Sequence, residues 1–112
     1  MKVSFASKRL EKEMATAAAI AKRYGTLAKR LKMRLELLYQ AERLGDVPAE
    51  PPPRRHQLSE DYAGCYAVDV SGNWRLVFRP NHDPLPLKED GGVDLTKVTA
   101  IEIVEVVDYH KK

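Results

Sequence analysis

Tyr66-Ala67-Val68-Asp69-Val70-Ser71-Gly72-Asn73-Trp74-Arg75-Leu76-Val77-Phe78-Arg79 is the stretch whose periodicity decides the fold. Tyr66, Val68 and Val70 alternate with Ala67 and Asp69, and Trp74, Leu76 and Phe78 alternate with Arg75, Val77 and Arg79. Two period-two runs joined by the short turn Ser71-Gly72-Asn73 predict a β-hairpin. Alternation puts Trp74, Leu76 and Phe78 on one face, to be covered by helices, and sends Arg75 and Arg79 to the other. Downstream, residues 80–97 carry three prolines, paired glycines and mixed charge, and predict a long loop. Residues 98–107 are rich in β-branched side chains and predict an antiparallel strand returning to the same sheet. On that strand Ile101 and Ile103 share one face; Glu102, Val104, Val106, Asp108 and His110 take the other.

Upstream of the hairpin, Pro48-Ala49-Glu50-Pro51-Pro52-Pro53 cannot be helical, because proline lacks the N–H donor and restricts its predecessor. It predicts a stiff connector that delivers Arg54-Arg55-His56 to a fixed place. Further back the period is helical. Ser7 is a plausible N-cap for Leu10, Met14, Ala17, Ala21 and Tyr24, and Gly25-Thr26 interrupts that run. Leu27, Leu31, Leu35, Leu38 and Ala41 form a second apolar stripe, with Lys29, Arg30, Lys32, Arg34 and Arg43 over most of the remaining surface. Val3-Ser4-Phe5 reads as a short strand. The fold class expected is α+β, an N-terminal helical hairpin packed on a small, mainly antiparallel sheet. A chain of 112 residues is expected to form a single domain.

Composition narrows the function classes. Apolar residues make up 44% and charged residues 31%, the balance of a globular chain with a core. No apolar run is long enough to span a bilayer, and no signal peptide opens the chain, so a cytoplasmic location is expected and no membrane partner. Cys65, the single cysteine, allows no internal disulfide and reads as a small core residue. The net charge of +3 is unevenly spread: residues 1–45 hold 11 Lys/Arg against 4 Asp/Glu, and residues 46–112 hold 8 against 12. A basic helical half suits RNA or an acidic protein, although cations that merely solvate helix faces give the same pattern. No paired His/Cys spacing of zinc type, no phosphate-cradling glycine loop and no Ser-His-Asp order is visible.

Arg75 and Arg79 on an open sheet face are either solvated charges or a platform for phosphate, whose oxygens guanidinium matches bidentately. His56, Asp108, Tyr109 and His110 are expected to meet at one edge of that sheet. Two histidines, an aspartate and arginines suit RNA cleavage without a metal. A base removes the 2′-hydroxyl proton, an acid protonates the departing 5′-oxygen, and guanidinium offsets charge on the phosphate. His82, in the long loop, reads as a surface residue.

Arg55-His56-Gln57-Leu58, residues 64–70, Asn73-Trp74-Arg75-Leu76-Val77-Phe78-Arg79 and Val106-Val107-Asp108-Tyr109-His110 together resemble the HigB branch of the RelE/ParE toxin superfamily, the plasmid-maintenance killer proteins. The likeness covers most of residues 25–112. It implies a ribosome-dependent mRNA endoribonuclease that inhibits translation and growth, needs no cofactor, and is neutralised by a cognate antitoxin, often a helix-turn-helix protein of HigA type. It carries over a catalytic set of His56, Asp108, Tyr109 and His110. In that set the two histidines share proton transfer, Asp108 orients or acts as base, and Tyr109 positions or stacks the substrate. Arg75 matches the strand arginine that holds phosphate; Arg79 and Arg55 are added here as RNA contacts. The 80–97 loop is longer than the family's tight connection, and the first helix is weakly matched, so antitoxin contacts do not transfer. On the same fold, a ParE-like gyrase inhibitor and a non-catalytic binding partner are the competing functions.

Overall fold

A computed structural model describes residues 1–109. Strand β1 (Lys2–Phe5) is followed by helices α1 (Lys8–Glu13), α2 (Ala17–Tyr24) and α3 (Ala28–Gln40), then by β2 (His56–Gln57), β3 (Tyr66–Ser71), β4 (Trp74–Pro80) and β5 (Ala100–Asp108). The strands form one five-stranded sheet in the order β1-β5-β4-β3-β2. β1 runs parallel to β5; the other pairs are antiparallel. The α+β class and the mainly antiparallel sheet match expectation. The N-terminal helical hairpin does not: a strand comes first and three helices follow.

The first helical run divides at Met14-Ala15-Thr16. Ser7 caps α1 by accepting from the Leu10 N–H (3.1 Å), and Thr16 caps α2 by accepting from the Ala19 N–H (3.0 Å). A second cap satisfies donors that an unbroken helix would have bonded internally, which allows the chain to turn there. In α3, Leu31, Leu35 and Leu38 are buried as the stripe requires, and the helix ends at Gln40. Arg34, expected among the solvated cations, is buried at 9% exposure and donates Nε to the Asp69 carbonyl (2.7 Å).

The helices pack on one sheet face. Leu31, Leu38, Leu44, Leu76, Phe78, Ile101 and Ile103 are fully buried there, each contributing about 1.5–3 kcal/mol by leaving water. Trp74 shares their face by alternation yet stays 36% exposed. A smaller cluster lies on the opposite face, where Leu58, Cys65, Ala67 and Val77 are buried, with Tyr62, Val104, Val107 and Tyr109 packed around them. The loop after β4 carries an isolated antiparallel bridge, Leu87 to Val93, closed by Lys88 N–H to the Gly92 carbonyl (2.7 Å). His82 is not an idle surface residue: its Nε2 accepts from the Thr99 and Ala100 N–H groups (3.0 and 3.3 Å) and pins the loop to the start of β5.

Candidate functional site

Strand register lays out the face opposite the helices. His56 on β2 stands opposite Ala67, Ala67 opposite Val77, and Val77 opposite Glu105, forming one row across four strands. The next row, toward the Ser71–Trp74 turn, runs Asp69, Arg75, Val107. Gly72 takes φ +56° in that turn, where an L side chain is strained although space is open.

Arg54 enters the second row from the proline connector. Its guanidinium grips Asp69 bidentately, Nε to Oδ2 at 2.7 Å and Nη2 to Oδ1 at 3.0 Å. The connector is held in place by Asp69 N–H to the Pro53 carbonyl (2.8 Å) and Arg54 N–H to the Glu50 carbonyl (2.9 Å). Arg75 approaches the same carboxylate from β4. Its Nε lies 3.0 Å from Asp69 Oδ1, a strong Coulombic contact, but the N–H is not aimed at the oxygen, and this nitrogen is the unbonded buried side-chain atom among the described residues. Arg75 Nη1 donates to the Gly72 and Trp74 carbonyls (2.8 and 3.2 Å). One carboxylate therefore orders two guanidiniums and leaves the cluster net positive.

Arg55, expected to contact RNA, donates Nε to the Val47 carbonyl (2.9 Å) and clamps the connector. Arg54 is the arginine turned toward the sheet. The sequence Arg54-Arg55 offered no means to choose between them, because the choice depends on Arg54 adopting φ +48°. Arg79 faces the predicted side but pairs with Glu102 across the strands, Nε to Oε1 at 2.8 Å.

The end of β5 departs from simple alternation. Phe78 pairs with Ile103 while Val77 pairs with Glu105, so Val104 is an extra residue, a β-bulge. Each side chain beyond it changes face. Val106 joins the helix-side core, and Asp108, opposite Trp74, follows it there. This corrects the expectation that Asp108 shares the arginine face. Glu105, Val107 and Tyr109 take that face instead. Tyr109 is fixed by its N–H to the Asn73 carbonyl (2.9 Å), and its ring lies 6.0 Å from that of Tyr62, tilted by 40°. The Tyr62 hydroxyl donates a short hydrogen bond to Glu105, and that bond, with burial, pushes the phenol up to about 12. Tyr62 and Glu105 were not expected in the site, since the 59–64 segment carries no periodic signal that would fold it over the sheet.

His56 lies on this face. Its Nδ1 is 2.7 Å from the Arg54 carbonyl, an acceptor, so Nδ1 carries the proton and Nε2 is the ring's basic nitrogen. His56 does not meet Asp108 and Tyr109 at one edge: β2 is an edge strand, β5 is interior, and three strand spacings, roughly 14 Å, separate them. His110 lies outside the described residues. Burial pushes the Cys65 thiol up, with Arg79 pulling weakly the other way, which suits a core residue and not a nucleophile. Among the described residues no group of three His, Cys, Asp or Glu is placed to hold a metal, and no helix is long and apolar enough to cross a membrane.

A net-positive arginine cluster, two facing tyrosines and an oriented imidazole on one sheet surface can hold a phosphodiester and stack bases. No protein-family model matches the sequence, and no curated protein does. Solved structures do match over almost the whole chain. A YoeB/ParE toxin from Agrobacterium tumefaciens superposes with a TM-score of 0.54 at 13% identity, covering 95% of this chain and 95% of that one. A YoeB-YefM complex from Staphylococcus aureus gives 0.52 at 12% identity, with 95% and 93% covered. A heterotetrameric YoeB-YefM toxin-antitoxin complex from the same organism gives 0.50 at 15% identity, with 95% and 93% covered. At such identities the likeness is one of fold: the chain has the α+β architecture seen in YoeB/ParE-type toxins.

Proposed function

We propose that this chain is the toxin of a type II toxin-antitoxin pair, an endoribonuclease of HigB type that cleaves mRNA on the ribosome without a metal. The observation that carries this reading is the phosphate-ready surface, with Arg54 and Arg75 ordered on Asp69 beside Tyr62, Tyr109 and His56, on a fold shared end to end with known toxins. Arg54 and Arg75 hold the substrate phosphates, and Tyr109 with Tyr62 supports the bases. Proton transfer at the scissile bond falls to Asp108 and His110, with His56 acting at a flanking nucleotide because two strands, β4 and β3, stand between β2 and β5. The cognate antitoxin is a helix-turn-helix protein of HigA type, in keeping with the motif resemblance; two of the matched structures contain the partner YefM.

Inducing the protein in bacteria and mapping mRNA 5′ ends tests this. In-frame cuts within translated messages are expected, with growth arrest abolished by His110→Ala and weakened by His56→Ala. Gyrase-linked DNA breaks without mRNA cuts would make it a ParE-like inhibitor. Absence of growth arrest would leave a non-catalytic partner.

A further inference from the structure

Trp74 is the chain's single tryptophan, and core packing does not account for its position. Its neighbours on the same face, Leu76 and Phe78, are fully buried, whereas the indole is 36% exposed. It lines a half-enclosed cavity of about 440 Å³ whose wall includes Arg9, Leu10, Arg23, Tyr24, Glu105 and Val106. That volume lies within the range of small-ligand sites, roughly 300–1,000 Å³.

The cavity wall is built. Glu13 accepts from Arg9 Nη1 (3.0 Å), Arg23 Nε (3.1 Å) and the Tyr24 hydroxyl (2.8 Å). Arg23 also lies over the Tyr24 ring, 5.3 Å from its centre. Two guanidiniums share the Glu13 carboxylate and Glu105 also lines the cavity, so the charges balance overall, but each arginine gives Glu13 a single nitrogen, leaving further N–H donors for an anion. Both arginine side chains are accessible, at 65% and 57% exposure.

We propose that this cavity is a nucleotide subsite, taking a base against the Trp74 indole and the attached phosphate between Arg9 and Arg23. An exposed indole offers a flat surface on which any base stacks, and paired guanidiniums match phosphate oxygens. An acidic peptide would use the arginines but not the indole. Position agrees: Trp74 is the cross-strand neighbour of Asp108, so the subsite adjoins the end of β5. Naming RNA as the natural source of the nucleotide rests on the ribonuclease reading; the subsite itself does not.

Because no other tryptophan is present, fluorescence excited at the red edge of the absorption band, where the five tyrosines do not absorb, reports on Trp74 alone. The full chain is titrated with adenosine 5′-monophosphate, adenosine and ribose 5-phosphate. Saturable quenching by the monophosphate is expected, with affinity reduced roughly tenfold in Arg9→Gln and in Arg23→Gln, the loss of one charge-assisted contact. Adenosine should bind more weakly, ribose 5-phosphate should barely quench, and Lys8→Gln, an exposed neighbour outside the cavity, should match wild type. No saturable quenching, or equal affinity in wild type and both arginine variants, overturns the subsite. Hexaglutamate binding more tightly than the monophosphate also overturns it, in favour of an acidic protein segment. Wild-type mRNA cutting, measured in parallel, decides the ribonuclease reading separately.

Discussion

Asp69 shows how much one residue organises here. It reads as an ordinary polar position on a strand, yet its carboxylate orders Arg54 and Arg75 and its carbonyl receives the buried Arg34. Glu105 does similar work for Tyr62, with a consequence that titration reveals. The unfolded phenol ionises near 10, whereas Tyr62 in the fold is held up to about 12 by Glu105 and by burial. The group therefore favours the folded state fully below pH 10, and that contribution is lost as pH rises toward 12. An ultraviolet phenolate titration should show tyrosine ionising above the ordinary range, with one such group removed in Tyr62→Phe. Loss instead of a group titrating in the ordinary range would show that the Glu105 contact does not hold the phenol.

Among the elements, the helices and the last strand each contain a feature that periodicity hides. Thr16 sits inside a run whose apolar spacing reads straight through it, and only its cap reveals two helices. Thr16→Ala should cost about 1 kcal/mol in urea unfolding, as loss of an N-cap does, while Ala15→Ser should change little. In β5 the bulge at Val104 decides which face each later residue of the strand presents. Deleting Val104 removes the extra residue and leaves Glu105 opposite Val77 and Val106 opposite Leu76 in a regular ladder, so it should be tolerated, whereas deleting Val106 shifts every later residue of β5 to the other face and should destabilise the protein far more. Equal thermal midpoints for those two variants would show that the bulge is not what orients the strand end.

Across the whole molecule, the two sheet faces divide the labour. The helix side carries the large core and the Trp74 cavity; the other side carries a thin apolar cluster beneath the arginines, Tyr62 and His56. Arg54 and Arg55 are adjacent in sequence but belong to different jobs. Arg54→Gln should weaken RNA binding and lower the slope of log affinity against log salt by about one contact, with stability little changed beyond the lost Asp69 pairing. Arg55→Gln should leave that slope intact and lower stability through the loosened connector. Filter binding at several salt concentrations, with urea unfolding of each variant, separates the two outcomes.

The α+β class, the hairpin and the buried leucine stripe of α3 were legible in the chain, because apolar spacing depends only on the local repeat of helix or strand; Arg54, Tyr62 and Glu105 of the candidate site were not. The strand preceding the helices was legible only as a possibility, and His82 as an acceptor not at all, since both depend on β5 as a partner. Which arginine faces the site, which face Asp108 takes and how far His56 stands from the end of β5 were decided by tertiary structure alone. A positive φ, a single inserted residue and the order of strands in a sheet are set by pairing between distant segments, and local spacing does not encode that pairing.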